Sequence, residues 1–154
     1  MTISWSPDLN TGIDVIDHQH RRIVDFINDL EAAQVLKDPQ RIKQVVDDCV
    51  DYTLSHFAFE ESLQEESGYK YFKPHRKVHE LFTRKVSEYQ ERLALGDDVS
   101  EELHAMLARW LVNHIKRDDA DYVSAVKANI APAAVAPVTE EKKQTSWFRK
   151  LFGK

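Results

Sequence analysis

One cysteine, four glycines and five prolines in 154 residues exclude several architectures at the outset. Cys49 alone cannot close an intrachain disulfide, so the fold depends on its core, as suits a reducing compartment, and Cys49 reads as a small core residue. Glycine and proline are too sparse for the many tight turns of a β sandwich or barrel. No run of about 18 apolar residues is present, and the N-terminus lacks the basic and apolar regions of a secretion signal, so a cytoplasmic location is expected. Positive charge is also in short supply. The 21 Lys and Arg against 26 Asp and Glu leave a net charge of -5, which argues against nucleic acid as a partner.

What is present reads as one all-α domain followed by a tail. Apolar residues recur at spacings of three and four along four stretches, the pattern of an up-down-up-down four-helix bundle. The first helix follows a non-helical lead-in containing Trp5, Pro7 and Gly12, and its stripe runs Ile16, His20, Ile23, Ile27, Leu30. Asp38 before Pro39 predicts an N-cap with proline at the first helical position. That second stripe runs Ile42, Val46, Cys49, Thr53, His56, Glu60, Leu63 and stops at Gly68. A third helix is expected from near Pro74, carrying His75, His79, Phe82, Val86, Tyr89 and Leu93 before Gly96. Asp98 with Glu101 predicts a capping box for the fourth, whose inner face reads Leu103, Leu107, Trp110, Leu111, His114, Ile115, Tyr122 and Val126. The bundle is therefore assigned to 1–130. An Ala/Pro/Val linker begins at Ala131, and 131–154 forms a flexible C-terminal tail.

Five of the seven histidines fall on inward stripes, spread over four helices, where one buried polar group is already costly. One such histidine is usually a hydrogen-bonded core residue. Five together with a glutamate call for a shared role, and metal ligation supplies one. His56 with Glu60, and His75 with His79, are four apart, which stacks each pair on one helix face. On the fourth helix the acidic partner of His114 is open between two residues. Ideal geometry favours Asp118, about 40° round the axis, over Asp119, about 140° away. The apolar phase instead places Asp119 on the core stripe, and a π-bulge would bring it to His114.

With these residues the chain resembles the hemerythrins, specifically their single-domain bacterial form. The resemblance spans roughly residues 1 to 127. It is carried by Asp17-His18-Gln19-His20, by His56-Phe57-Ala58-Phe59-Glu60-Glu61, by His75 and His79, and by Trp110-Leu111-Val112-Asn113-His114-Ile115 followed by Asp119. It implies two iron ions: one bound by His75, His79 and His114, the other by His20 and His56. Glu60, Asp119 and an oxo or hydroxo group would bridge them. It also selects Asp119 over Asp118. His18 and His104 lie outside that ligand set and read as solvent-facing. Glu101 and His104 match the Glu-x-x-His spacing of ferritin-like di-iron sites, but that architecture needs the motif twice.

Counting donors on this pattern leaves one position open on the iron with two histidines, the vacancy that a small ligand requires. The expected function is reversible two-electron capture of O2 without O–O cleavage, for oxygen storage, transport, delivery or sensing. The chain is thus read as an oxygen-binding protein and not an enzyme. A di-iron oxidase, peroxidase or nitric oxide reductase is the competing class, and an iron store is the third. Positions matching the family's O2 pocket are Ile23, Phe57, Trp110, Leu111, Ile115 and Tyr122, whose apolar walls would exclude water. A monomer is expected, since no second broad apolar face remains. In the tail, Trp147, Phe148, Leu151 and Phe152 with Arg149 and Lys150 form a candidate docking peptide for an oxygen-using enzyme or a membrane surface.

Overall fold

The computed structural model describes residues 2–130. The linker and the docking segment Trp147–Phe152 lie outside the described residues. Among those described there are helices and no strands. The lead-in contains a short 3-10 turn, Pro7–Leu9, so it is not wholly irregular. Then follow α1 (Asp14–Leu36), α2 (Pro39–Glu66), α3 (Phe72–Ala94) and α4 (Ser100–His114), a π-helical turn (Ile115–Asp119), and α5 (Ala120–Ile130). The turn and α5 continue the rod of α4, so the expected fourth helix exists with a widened turn inside it. α1 packs on α2 and α4, α2 on α3, α3 on α4, and α5 leans on α2. This is the four-cornered arrangement of an up-down bundle.

Local chemistry explains most of the boundaries. Lys37 ends α1 in the left-handed region, at φ 51°. Asp38 then caps α2, accepting from the backbone N–H groups of Gln40 (3.1 Å) and Arg41 (3.2 Å), with Pro39 at the first position as expected. Gly68 (φ 66°) and Gly96 (φ 91°) sit just past α2 and α3, at backbone angles that a Cβ disfavours. α3 starts at Phe72, ahead of Pro74, which occupies the first turn, where no N–H donor is needed. The capping box before α4 does not form. The N-cap is Val99, which shifts Glu101 one position too early, and Asp98 instead accepts from the Ser100 hydroxyl at 3.0 Å.

The apolar core is in two parts. The larger includes Ile23, Ile27, Leu30, Val46, Phe57, Phe82, Leu107, Leu111 and Ile115. The smaller holds Ile13, Ile16, Phe59, Tyr122 and Val126. On α1 His20 falls between Ile16 of the smaller block and Ile23 of the larger, and after α4 Asp119 falls between Ile115 of the larger and Tyr122 of the smaller. Cys49 is buried, and burial pushes its thiol up to about 12. A raised folded pKa disfavours the thiolate, so at pH 8 only about one part in 10⁴ is reactive. Native protein is therefore expected to resist an aromatic disulfide reagent that labels it stoichiometrically once unfolded. Rapid labelling of the native form would contradict this burial.

Candidate metal centre

Each of the seven singled-out residues comes from a helix that must bury it. α1 supplies His20, α2 supplies His56 and Glu60, α3 supplies His75 and His79, α4 ends on His114, and the π turn ends on Asp119. All seven are buried, and Glu60 and Asp119 are completely so. The π turn decides the acidic partner of His114. Its wider turn brings residues five apart onto one face, placing Asp119 Oδ1 3.1 Å from His114 Nε2. Asp118 meets the other ring nitrogen instead, with Oδ2 2.7 Å from Nδ1.

The two carboxylates lie between two groups of histidines. Asp119 Oδ1 is 3.4 Å from His75 Nε2 as well as facing His114, while Oδ2 is 3.2 Å from His20 Nε2. Glu60 Oε1 is 3.6 Å from His75, and Oε2 is 3.4 Å from His56 and 3.5 Å from His79. Nε2 of His79 lies 3.1 Å from that of His75 and 3.0 Å from that of His114. On the other side the rings of His20 and His56 meet edge-on at 4.7 Å. Glu60, His75, His79, His114 and Asp119 present donor atoms that all lie within 4.8 Å of one another.

The outer ring nitrogens show which way the lone pairs point. Glu61 faces His79 Nδ1 at 3.0 Å, Asp118 faces His114 Nδ1, and Gln19 Oε1 faces His56 Nδ1 at 2.7 Å. An acceptor at Nδ1 holds the proton there and leaves Nε2 unprotonated toward the centre, as metal-binding histidines require. The inner atoms lack equivalent partners. Both oxygens of Glu60, both of Asp119 and both nitrogens of His20 make no well-aligned hydrogen bond. Such a concentration of buried donors is costly alone and fits a bound cation pair.

Electrostatics agree. Burial depresses His56, and it drives His79 down to about 3, so both rings are neutral and able to ligate. Burial opposes charge on His114 too, but Asp119 and Asp118 outweigh it and push that ring up to about 10. Burial would raise Asp119, yet His114, with His20 and His75, holds it well below the carboxylate range. Without a cation, a proton on His114 serves as the counter-charge, and a metal ion entering the site must displace it.

A small cavity lies against this cluster. It is lined by His20, Ile23, Ile27, Thr53, His56, Phe57, Phe82, Leu107, Trp110, Leu111 and His114. It leaves about 10 Å³ for the centre of a water-sized guest. Of the expected pocket positions, Ile23, Phe57, Trp110 and Leu111 line it. Ile115 packs in the larger apolar block and Tyr122 in the smaller one. Ile27, Phe82 and Leu107 were not singled out from sequence, although all three lie on the helical stripes. His18 is exposed as expected. His104 is not: it is buried, because it falls on the inward face of α4 between Leu103 and Leu107. Burial depresses its pKa, while Glu31 opposes the shift.

A four-helix bundle enclosing a His/Glu/Asp cluster of this kind suits a binuclear metal centre. The family model described as the hemerythrin HHE cation binding domain matches residues 11–126. The chain belongs to the hemerythrin family. It is 49% identical over 153 residues to the bacteriohemerythrin of Pseudomonas aeruginosa, covering 97% of each chain. It is 52% identical over 126 residues to that of Stenotrophomonas maltophilia, covering 82% of each. A crystal structure of wild-type hemerythrin matches with a TM-score of 0.78 at 26% identity, over 82% of this chain and 98% of that one.

Proposed function

We propose that this chain binds O2 reversibly at a centre of two non-haem iron ions, as an oxygen store, carrier or sensor and not as an enzyme. His75, His79 and His114 would hold one iron, His20 and His56 the other. Glu60 and Asp119 would be shared between them, and an oxo or hydroxo group would complete the bridge. Iron, when bound, supplies the electrons that capture O2. The protein supplies the vacancy and the dry wall around it.

The observation that carries this reading is the coincidence of two asymmetries. Donors are unequal, three histidines against two, so the His20 and His56 side is one ligand short. The cavity beside the centre is lined by both of those histidines, with His114 as the one ligand from the other side, and has room for one small molecule. Ile23, Phe57 and Leu111 give it apolar walls. The outer acceptors Gln19, Glu61 and Asp118 keep the rings aimed. Asp118→Ala is expected to weaken metal affinity about 10- to 100-fold, the usual cost of losing such a partner. Chelator competition measures it, and an unchanged affinity would remove Asp118 from that role.

The test of the function is the visible spectrum of reduced, iron-loaded protein cycled between air and argon. A charge-transfer band that appears in air and vanishes under argon supports reversible binding. A single irreversible oxidation sinks it and favours an oxidase or an iron store. The partner proposed besides O2 is an oxygen-using enzyme or membrane surface met by the Trp147–Phe152 segment. No helix among the described residues is long and apolar enough to cross a membrane.

A further inference from the structure

A line of tyrosines leads from the centre to the surface without touching the cavity. Tyr122 is fully buried and meets His75 edge-on with ring centroids 5.5 Å apart. Tyr69 lies 6.2 Å from Tyr122 and 6.5 Å from His75. Tyr71 lies 6.0 Å beyond Tyr69, is 49% exposed, and has Lys70 Nζ 5.2 Å from its ring centroid. The Tyr69 hydroxyl donates a hydrogen bond to Asp121 Oδ2, so this phenol has a proton acceptor already in place. That matters chemically. A phenol that loses an electron becomes strongly acidic, so its oxidation is easy only where the proton can leave at the same time. Rings in near van der Waals contact also let an electron tunnel without a long gap.

We propose that Tyr69 and Tyr71 form an electron line through which a reductant at the surface repairs the iron centre after a peroxide has oxidised it. The proposal rests on the di-iron reading above. Hydrogen peroxide takes two electrons and two protons as its O–O bond breaks, giving two waters. Each electron leaves Tyr69 and reaches the centre through its contacts with Tyr122 and His75, while the phenolic proton shifts to Asp121. Tyr71 then reduces the Tyr69 radical, which recovers its proton from Asp121, and the proton of Tyr71 passes to solvent. A reductant with a weak O–H bond, such as ascorbate, returns a hydrogen atom to Tyr71. Its anionic form is drawn to Lys70. Two rounds per peroxide release two protons from Tyr71, matching the two consumed.

Trp110 is the competing exit, stacked on His114 with ring centroids 4.3 Å apart. The full-length protein, its iron content and visible spectrum checked first, is mixed with hydrogen peroxide and frozen for electron paramagnetic resonance. A parallel sample receives a nitroso spin trap and is mapped by mass spectrometry. A tyrosyl radical with trap adduct on Tyr71 is expected, and ascorbate should abolish both. Tyr69→Phe should lose the Tyr71 adduct. Tyr71→Phe, which alters only an exposed hydroxyl, should lose the Tyr71 adduct while a tyrosyl signal from Tyr69 persists. An adduct confined to Trp110, or no tyrosyl radical in protein that holds iron, overturns the electron line and leaves the O2 reading standing. A chain that fails to hold iron overturns both.

Discussion

Stripping the metal from this protein is expected to lower its melting temperature by about 10 to 20 °C while the chain stays helical. Five side-chain atoms facing the centre, Nε2 of His20 and the carboxylate oxygens of Glu60 and Asp119, are buried without a well-aligned hydrogen bond. Leaving each unsatisfied costs about 1 kcal/mol at the low end of the usual range, or about 5 kcal/mol together. In a domain of this size each kcal/mol is worth about 2–4 °C. The loss falls on one polar layer, so the two apolar blocks on either side should keep the helices formed but more loosely packed. Thermal circular dichroism of iron-loaded protein, before and after dialysis against a chelator, measures the shift. Equal melting temperatures would mean that the metal-free core satisfies these groups in another way, and the centre would lose its claim to hold the bundle together.

The parts of this centre legible in the sequence were those written in helical period. His20, His56, Glu60, His75, His79 and His114 sit where apolar residues should be, and the bundle has no other way to point them. Asp119 was harder. Straight-helix geometry puts Asp118 nearer to His114 while the apolar phase puts Asp119 on the core stripe, and the π turn, whose backbone pattern has no composition signature, is what brings Asp119 to His114. The outer partners were hidden for a related reason. Gln19, Glu61 and Asp118 look like ordinary polar residues beside a ligand, and their role exists only because a ring nitrogen from another helix or turn faces them. His104 was misjudged by its polarity when the stripe through Leu103 and Leu107 already placed it inside. At α4 the misplaced cap was a shift of one residue, enough to turn a capping box into a Ser100 to Asp98 contact. The cavity wall was half legible: stripes identify inward residues, but which of them border a gap depends on packing between helices.

On the proposed O2-binding reading, Leu111→Ala should accelerate autoxidation of the oxygenated protein about 10- to 100-fold. Leu111 is buried and lines the cavity beside His20 and His56. Truncation removes apolar wall where the space left for a guest is only about 10 Å³. The enlarged space borders polar ring nitrogens, so water is expected to enter it, which a purely apolar void would resist. Water stabilises a reduced dioxygen leaving as an anion far better than a leucine methyl does. Lowering that barrier by about 1.4 kcal/mol speeds escape tenfold, and twice as much speeds it a hundredfold. The same substitution is expected to cost about 2–5 kcal/mol of stability as a core truncation, so the comparison is best made well below its melting temperature. Leu111→Met, which keeps the volume and the apolar surface, should stay close to the parent rate. If Ala and Met behave alike, or if neither changes the decay of the oxygenated spectrum, exclusion of water at Leu111 is not what retains bound oxygen, and the protection must come from the polar side of the centre.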